Sequence, residues 1–183
     1  PESTPAQGER IARMGDRFLS VVLDTVVSVA VFAVVGMALA GKLGGLTYSG
    51  FSLEGTPALI AMLATALITF CYLWLSEGLF GATLGKGMIG IQVRKKDGGD
   101  WDLRSSLIRN LLRLIDAFAF YLVGFIVAML SKSRQRVGDH LAGTVVLEKR
   151  VAGSIRTGLV VLWLLLCGSA FTGAWLLHDM PAG

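Results

Sequence analysis

"RFLSVVLDTVVSVAVFAVVGMALA", residues 17–40, decides the fold class of this 183-residue chain. From Phe18 to Ala40 its one charged residue is Asp24. A bilayer core takes about 20 such residues as a helix. A secretory leader is the competing reading. Arg13 and Arg17 flank the run, and Ala38-Leu39-Ala40 resembles a cleavage site. The run outlasts the ~7–15-residue core of a leader and carries a carboxylate, so a retained span is expected.

The composition agrees. The chain is 54% hydrophobic and 16% charged, whereas a soluble domain carries about 25% charged residues. The mean hydropathy is +0.65. One membrane-embedded domain is the expected content. The pI of about 9.4 would suit nucleic acid, but the basic residues stand beside apolar runs, as topology signals do. No nucleic-acid partner is expected. Cys71 and Cys167 lie within apolar runs, where Cys acts as a small hydrophobe. No metal spacing is present and no cofactor is expected.

Residues 1–16 are polar and read as a disordered cytoplasmic tail. Residues 17–150 read as the membrane domain, and 151–183 as an added carboxyl-terminal span with a short tail. The loop from Gly41 to Pro57 is glycine-rich and has one basic residue, Lys42. Ala58 to Leu75 is a second span. Glu77 to Arg113 then carries Lys86, Arg94, Lys95, Lys96, Arg104, Arg109 and Arg113. That contrast places the first loop outside and the second in the cytoplasm, with the amino terminus.

Ile89 to Arg94 alternates, a turn signal follows at 95–100, and Thr144 to Leu147 is β-rich. The two runs are predicted to pair in a small cytoplasmic sheet. Leu114 to Leu130 is barely long enough to span. Crossing would leave Lys132, Arg134, Arg136, Lys149, Arg150 and Arg156 outside, against the charge rule. A helical hairpin is expected instead, with arms Ser105 to Phe118 and Tyr121 to Ser131 and a bend at Ala119-Phe120. Gly158 to Leu177 is the last span, with Ser169 and Gly173 spaced for close helix contact. The fold class is an all-α membrane protein. It has three transmembrane helices plus a helical hairpin or a fourth span, and a small cytoplasmic two-stranded β element.

At 3.6 residues per turn, Arg17, Ser20, Asp24 and Ser28 share a face. A lipid-facing carboxylate there would cost about 2.5–3.5 kcal/mol on insertion scales. Asp24 should therefore face protein or a wet crevice. The second span has its own stripe of Thr65, Thr69, Tyr72 and Ser76. Packing glue at about 0.6 kcal/mol per bond is the plain reading; a site facing Asp24 is the other. "RNLLRLID", residues 109–116, sets Arg109 seven before Asp116, as Arg17 stands seven before Asp24. Such an echo fits a repeat framing a midplane site. It fits equally an Arg109 or Arg113 that pairs with Asp24 as a structural clamp.

"GATLGKG", residues 81–87, tempts a phosphate-loop reading. It fails, because Phe80 and Gly87 stand where Gly and Ser or Thr are needed. A tight turn that admits close backbone approach is expected. His140 has no second His or Cys nearby, so no metal site is expected. No nucleophile–base pair stands out, and no enzyme is expected.

These stretches resemble the RDD family of small bacterial membrane proteins over Arg13 to Leu147. "RFLSVVLD" resembles the family's Arg before the first span and Asp within it. "GATLGKGMIGIQV", residues 81–93, resembles its Gly-x-Thr-x-Gly-Lys turn running into a strand. "RQRVGDHLAGTVV", residues 134–146, resembles its basic segment, Asp and closing strand. The resemblance names Arg17, Asp24, Gly85, Lys86 and Asp139 as motif positions. The family's His before the last Asp is Gly138 here. The resemblance implies transport across the bacterial inner membrane, with some members linked to sodium–proton exchange.

The resulting expectation is a cation/proton exchanger with Asp24 as the titrating site. Arg17 and Arg109 would set its charge balance, Thr65, Thr69 and Tyr72 would supply oxygens, and Asp116 would be the echo of Asp24. The expected partners are the bilayer, a monovalent cation and a second copy of the chain. The alternative is a non-transporting assembly module that contacts a partner protein or anionic lipid through its cytoplasmic face.

Overall fold

A computed structural model describes residues 10–48, 50–118, 139, 141–149 and 151–178. Helix α1 (Met14–Leu43) comes first, followed by a short hairpin of β1 (Leu46–Thr47) and β2 (Gly50–Phe51). Helix α2 (Gly55–Phe80), the six-residue α3 (Leu84–Ile89) and strand β3 (Ile91–Lys95) follow. Then come α4 (Leu103–Phe118), β4 (Thr144–Glu148) and α5 (Gly153–His178). The chain is mostly helical, and among the described residues three helices are long and apolar enough to cross a bilayer: Met14–Leu43, Gly55–Phe80 and Gly153–Ala170. It is a membrane protein with three candidate spans. The three expected runs fall within α1, α2 and α5, each of which extends into polar flanks.

α1 is two-sided. Arg17, Ser20, Asp24, Val27 and Ala30 are buried along one stripe. Phe18, Leu19, Val22 and Val29 are exposed on the other side, the side fit for acyl chains. The buried stripe meets α2, α3 and α5. Val27 and Ala30 pack with Cys167 and Ala170 of α5, and Trp163 Nε1 donates to Leu23 O at 3.1 Å. The last span is thus docked on the first.

α2 stops at Gly81, whose φ of 70° is left-handed and whose N–H donates to Glu77 O at 3.0 Å. A Cβ on Gly81 would lie 2.5 Å from the Trp101 ring. Thr83 then caps α3, accepting from Lys86 N at 3.3 Å. This helix occupies the segment expected as a tight turn and delays the strand to Ile91. β3 and β4 pair antiparallel in the register Ile91↔Glu148 to Lys95↔Thr144, as the alternating patterns predicted.

Two local features depart from expectation. The glycine-rich first loop holds the β1–β2 hairpin, whose two-residue strands are too short to show a pattern. Residues 10–12, expected as part of a disordered tail, line the free edge of β4. Glu148 N donates to Arg10 O at 2.8 Å and Ala12 N to Val146 O at 3.0 Å. The reason is burial: Ala12 is fully buried among Ile91, Val93 and Val146.

α4 covers the expected first hairpin arm. It is amphipathic and lies along α2. Asp102 caps it, accepting from Ser105 N at 2.6 Å. Trp74 Nε1 donates to Leu103 O at 2.9 Å, and Ser106 Oγ to Trp74 O at 2.7 Å. The bend at Ala119-Phe120 and the second arm lie outside the described residues.

Candidate functional site

Asp24 sits on the buried stripe of α1, 3% exposed. Its Oδ1 accepts from Tyr72 OH at 2.9 Å and from Gly85 N at 3.1 Å. Its Oδ2 accepts from Thr83 Oγ1 at 2.6 Å. Tyr72 OH also accepts from Leu84 N at 3.0 Å. The carboxylate therefore grips the first turn of α3 and ties it to α1 and α2. Gly85 makes this approach feasible, because a Cβ there would lie 2.5 Å from Ser20 O and 2.9 Å from Asp24 Oδ1.

A second cluster lies two turns toward the start of α1, at Arg17. Arg17 Nη1 reaches Asp139 Oδ2 at 3.4 Å, and Arg17 Nη2 donates to Val146 O at 3.4 Å. Arg109 Nε faces Asp139 Oδ1 at 3.0 Å, and Arg109 Nη1 faces Glu77 Oε2 at 3.7 Å. Lys86 Nζ donates to Glu77 Oε1 at 2.5 Å. The chain of charges runs Arg17, Asp139, Arg109, Glu77, Lys86. It joins α1, α2, α3 and α4, with Asp139 linking Arg17 to Arg109 and Glu77 linking Arg109 to Lys86. All five side chains are at least nine-tenths buried. Buried ions of this kind are stable only when paired and well placed.

The cluster lines a cavity of about 50 Å³, together with Ser20, Val21, Asn110, Arg113 and Val146. One water needs about 10–15 Å³ of such space, so the cavity has room for more than one. Burial pulls the Lys86 ammonium down to about 8, against the opposing pull of the Glu77 carboxylate. A buried group whose pKa is drawn toward neutrality in this way is a candidate for an acid–base role.

The expected site residues are divided by this geometry. Tyr72 meets Asp24, and Gly85 and Lys86 stand in α3 beside it. Arg17 and Arg109 converge on Asp139 and make no ion pair with Asp24. Thr65 Oγ1 turns back to Ala61 O at 2.8 Å. Thr69 Oγ1 is buried with no hydrogen-bond partner among the described residues. Asp116 lies in α4. Neither Glu77 nor Thr83 was singled out by the sequence. A signal existed for Glu77: an acid in the last turn of a helix opposes the helix dipole and calls for a cation. Among the described residues no group of His, Cys, Asp and Glu could hold a metal ion.

Neither a curated protein nor a solved structure matches the chain. The RDD family pattern matches residues 11–143. That stretch holds Arg17, Asp24, Glu77, Lys86, Arg109 and Asp139, so both buried networks lie inside it. On this match the chain belongs to the RDD family.

Proposed function

We propose that this chain is a small proton-coupled transporter of the bacterial inner membrane, with the Glu77–Lys86 pair as its titrating centre. The observation that supports this is the pair itself: an acid and a base, both buried, 2.5 Å apart and lining a cavity. A pair that only clamps helices needs no cavity. Arg would also clamp more firmly than Lys, because it keeps its charge when buried.

The chemistry follows from the charge count. With Lys86 protonated the pair is neutral. When Lys86 gives up its proton, Glu77 leaves a negative charge beside Arg109, and the cavity loses one unit of positive charge. Any ion bound there is then bound more or less tightly by the same step. A cation would enter as the proton leaves, which is the exchange expected from the sequence. An anion would enter with the proton. Either way Asp24 acts as a positioning group, since its three donors are fixed, neutral and belong to the framework.

The orientation of the reading rests on charge. Arg10, Arg13 and Arg17, the segment after α2 and the region around β4 are rich in Lys and Arg. Such residues favour the cytoplasmic side.

The test uses purified protein in liposomes loaded with a pH-sensitive dye. Sodium, lithium and phosphate gradients are imposed in turn, and the lumenal pH is followed. A pH change is expected for wild type and not for Glu77→Gln or Lys86→Arg, the second of which keeps its charge but not its loose proton. Traces equal to those of protein-free liposomes under every gradient would overturn transport. They would favour the assembly module that contacts a partner or anionic lipid.

A further inference from the structure

The cavity beside the pair is unevenly charged. Among the described residues four basic side chains line it, Arg17, Lys86, Arg109 and Arg113, against two acids, Glu77 and Asp139. Both acids are already engaged by Arg17, Lys86 and Arg109. Arg113 faces the cavity and has no hydrogen bond or ion pair among the described residues. Arg109 Nη1 likewise has no hydrogen-bond partner there, on a side chain only 9% exposed.

A buried donor without an acceptor is destabilising, and more so when it is charged. Water in the cavity can meet the hydrogen-bonding need but not the charge. Arg109 and Arg113 are four residues apart on α4, so they share a face and stand one above the other. Planar guanidinium forks suit the oxygens of carboxylate and phosphate. The cavity of about 50 Å³ has room for an ion of a few heavy atoms.

We propose that this cavity binds a small oxyanion, of phosphate or carboxylate type, between Arg113 and Arg109 Nη1. The proposal deepens the transporter reading and rests on it only for the consequence of binding. In that reading the oxyanion is the ion whose affinity rises when the pair takes up a proton.

The experiment is thermal unfolding of the full chain in neutral detergent, followed by tryptophan fluorescence. The probes are sodium phosphate, sodium acetate, short-chain phosphatidylglycerol and, at matched ionic strength, sodium chloride. Phosphate or acetate is expected to raise Tm saturably, by roughly 5–10 °C at a hundredfold excess over Kd. Chloride should give no saturable rise. A rise with the lipid alone would assign the oxyanion to a headgroup, and one with the free salts to a soluble ion. Arg113→Gln should abolish the shift while leaving the unliganded Tm near wild type, because Arg113 holds no hydrogen bond or ion pair among the described residues. Arg113→Lys should restore part of it. No rise beyond that in chloride, or the same rise in Arg113→Gln, would overturn the proposal. A saturable shift in protein that moves no protons in liposomes keeps the site and discards transport. Proton flux without any such shift discards the site alone.

Discussion

Asp24→Asn separates a carboxylate that holds the fold from one that titrates in transport. In the wild type three donors converge on it: Tyr72 OH, Gly85 N and Thr83 Oγ1, at 2.9, 3.1 and 2.6 Å. Asparagine keeps one acceptor oxygen, enough for Tyr72 and Gly85. Its NH₂ then faces the Thr83 hydroxyl, which already accepts from Lys86 N. One bond is therefore lost in its present sense and two lose their charge. Bonds to a charged group are worth about 1.5–3 kcal/mol and neutral ones about 0.5–1.5. The gross loss is about 3 kcal/mol, and the easier burial of an amide returns part of it. A net cost of about 2 kcal/mol corresponds to a Tm lower by roughly 4–8 °C. Asp24→Ala, which leaves all three donors unmet, should cost more than Asp24→Asn. The assay is thermal unfolding in detergent beside proton flux in liposomes. Asp24→Asn with the wild-type Tm but no proton flux would refute the reasoning, because Asp24 would then be the titrating group.

Four further outcomes follow from single contacts. Gly85→Ala puts a Cβ 2.5 Å from the Ser20 carbonyl oxygen; overpacking of this kind costs about 1–3 kcal/mol, to be read as a lower Tm. Asp139→Asn should destabilise more than Arg17→Gln, because it removes the carboxylate charge from two buried ion pairs, whereas Arg17→Gln breaks one of them and leaves Arg109 on Asp139; chemical denaturation of both variants and the double variant gives the coupling. Thr69→Val removes a buried hydroxyl without a hydrogen-bond partner among the described residues and should leave Tm unchanged or raise it by up to about 1 kcal/mol equivalent. The Lys95 ammonium and the Ser105 N–H hold the Asp102 carboxyl down at about 2, below its ordinary 3.8. Its cap is therefore fully present above pH ~4 and lost as pH falls toward ~2. Hydrogen exchange at the Ser105 amide should quicken across that window, and Asp102→Ala should exchange fast at neutral pH as well.

What was legible in the sequence is what periodicity and charge can encode. The apolar runs located α1, α2 and α5, since a bilayer demands a minimum length of apolar helix. Alternation located β3 and β4, and the period of 3.6 put Arg17, Ser20 and Asp24 on one buried face. The boundaries moved where local chemistry intervened. Thr83 caps a helix in place of a simple turn, and Ile11 and Ala12 are too few to announce that they extend a sheet. α4 carried an ambiguous pattern because its leucines and its arginines alternate around the helix, which suits a surface between bilayer and protein.

Partners were the part that no period could supply. The matched spacing of Arg17 to Asp24 and Arg109 to Asp116 invited a pairing of like with like. The two arginines instead meet at one acid, Asp139, more than a hundred residues from Arg17. A helix period fixes which direction a side chain leaves the axis but says nothing of what stands opposite, and a guanidinium can reach along its helix to choose. Asp24 shows the same gap from the other side. Its burial followed from the cost of facing lipid, yet its donors are a tyrosine, a threonine and a backbone amide. Neutral donors suffice there because three of them converge, so the arginines are left to Asp139 and Glu77.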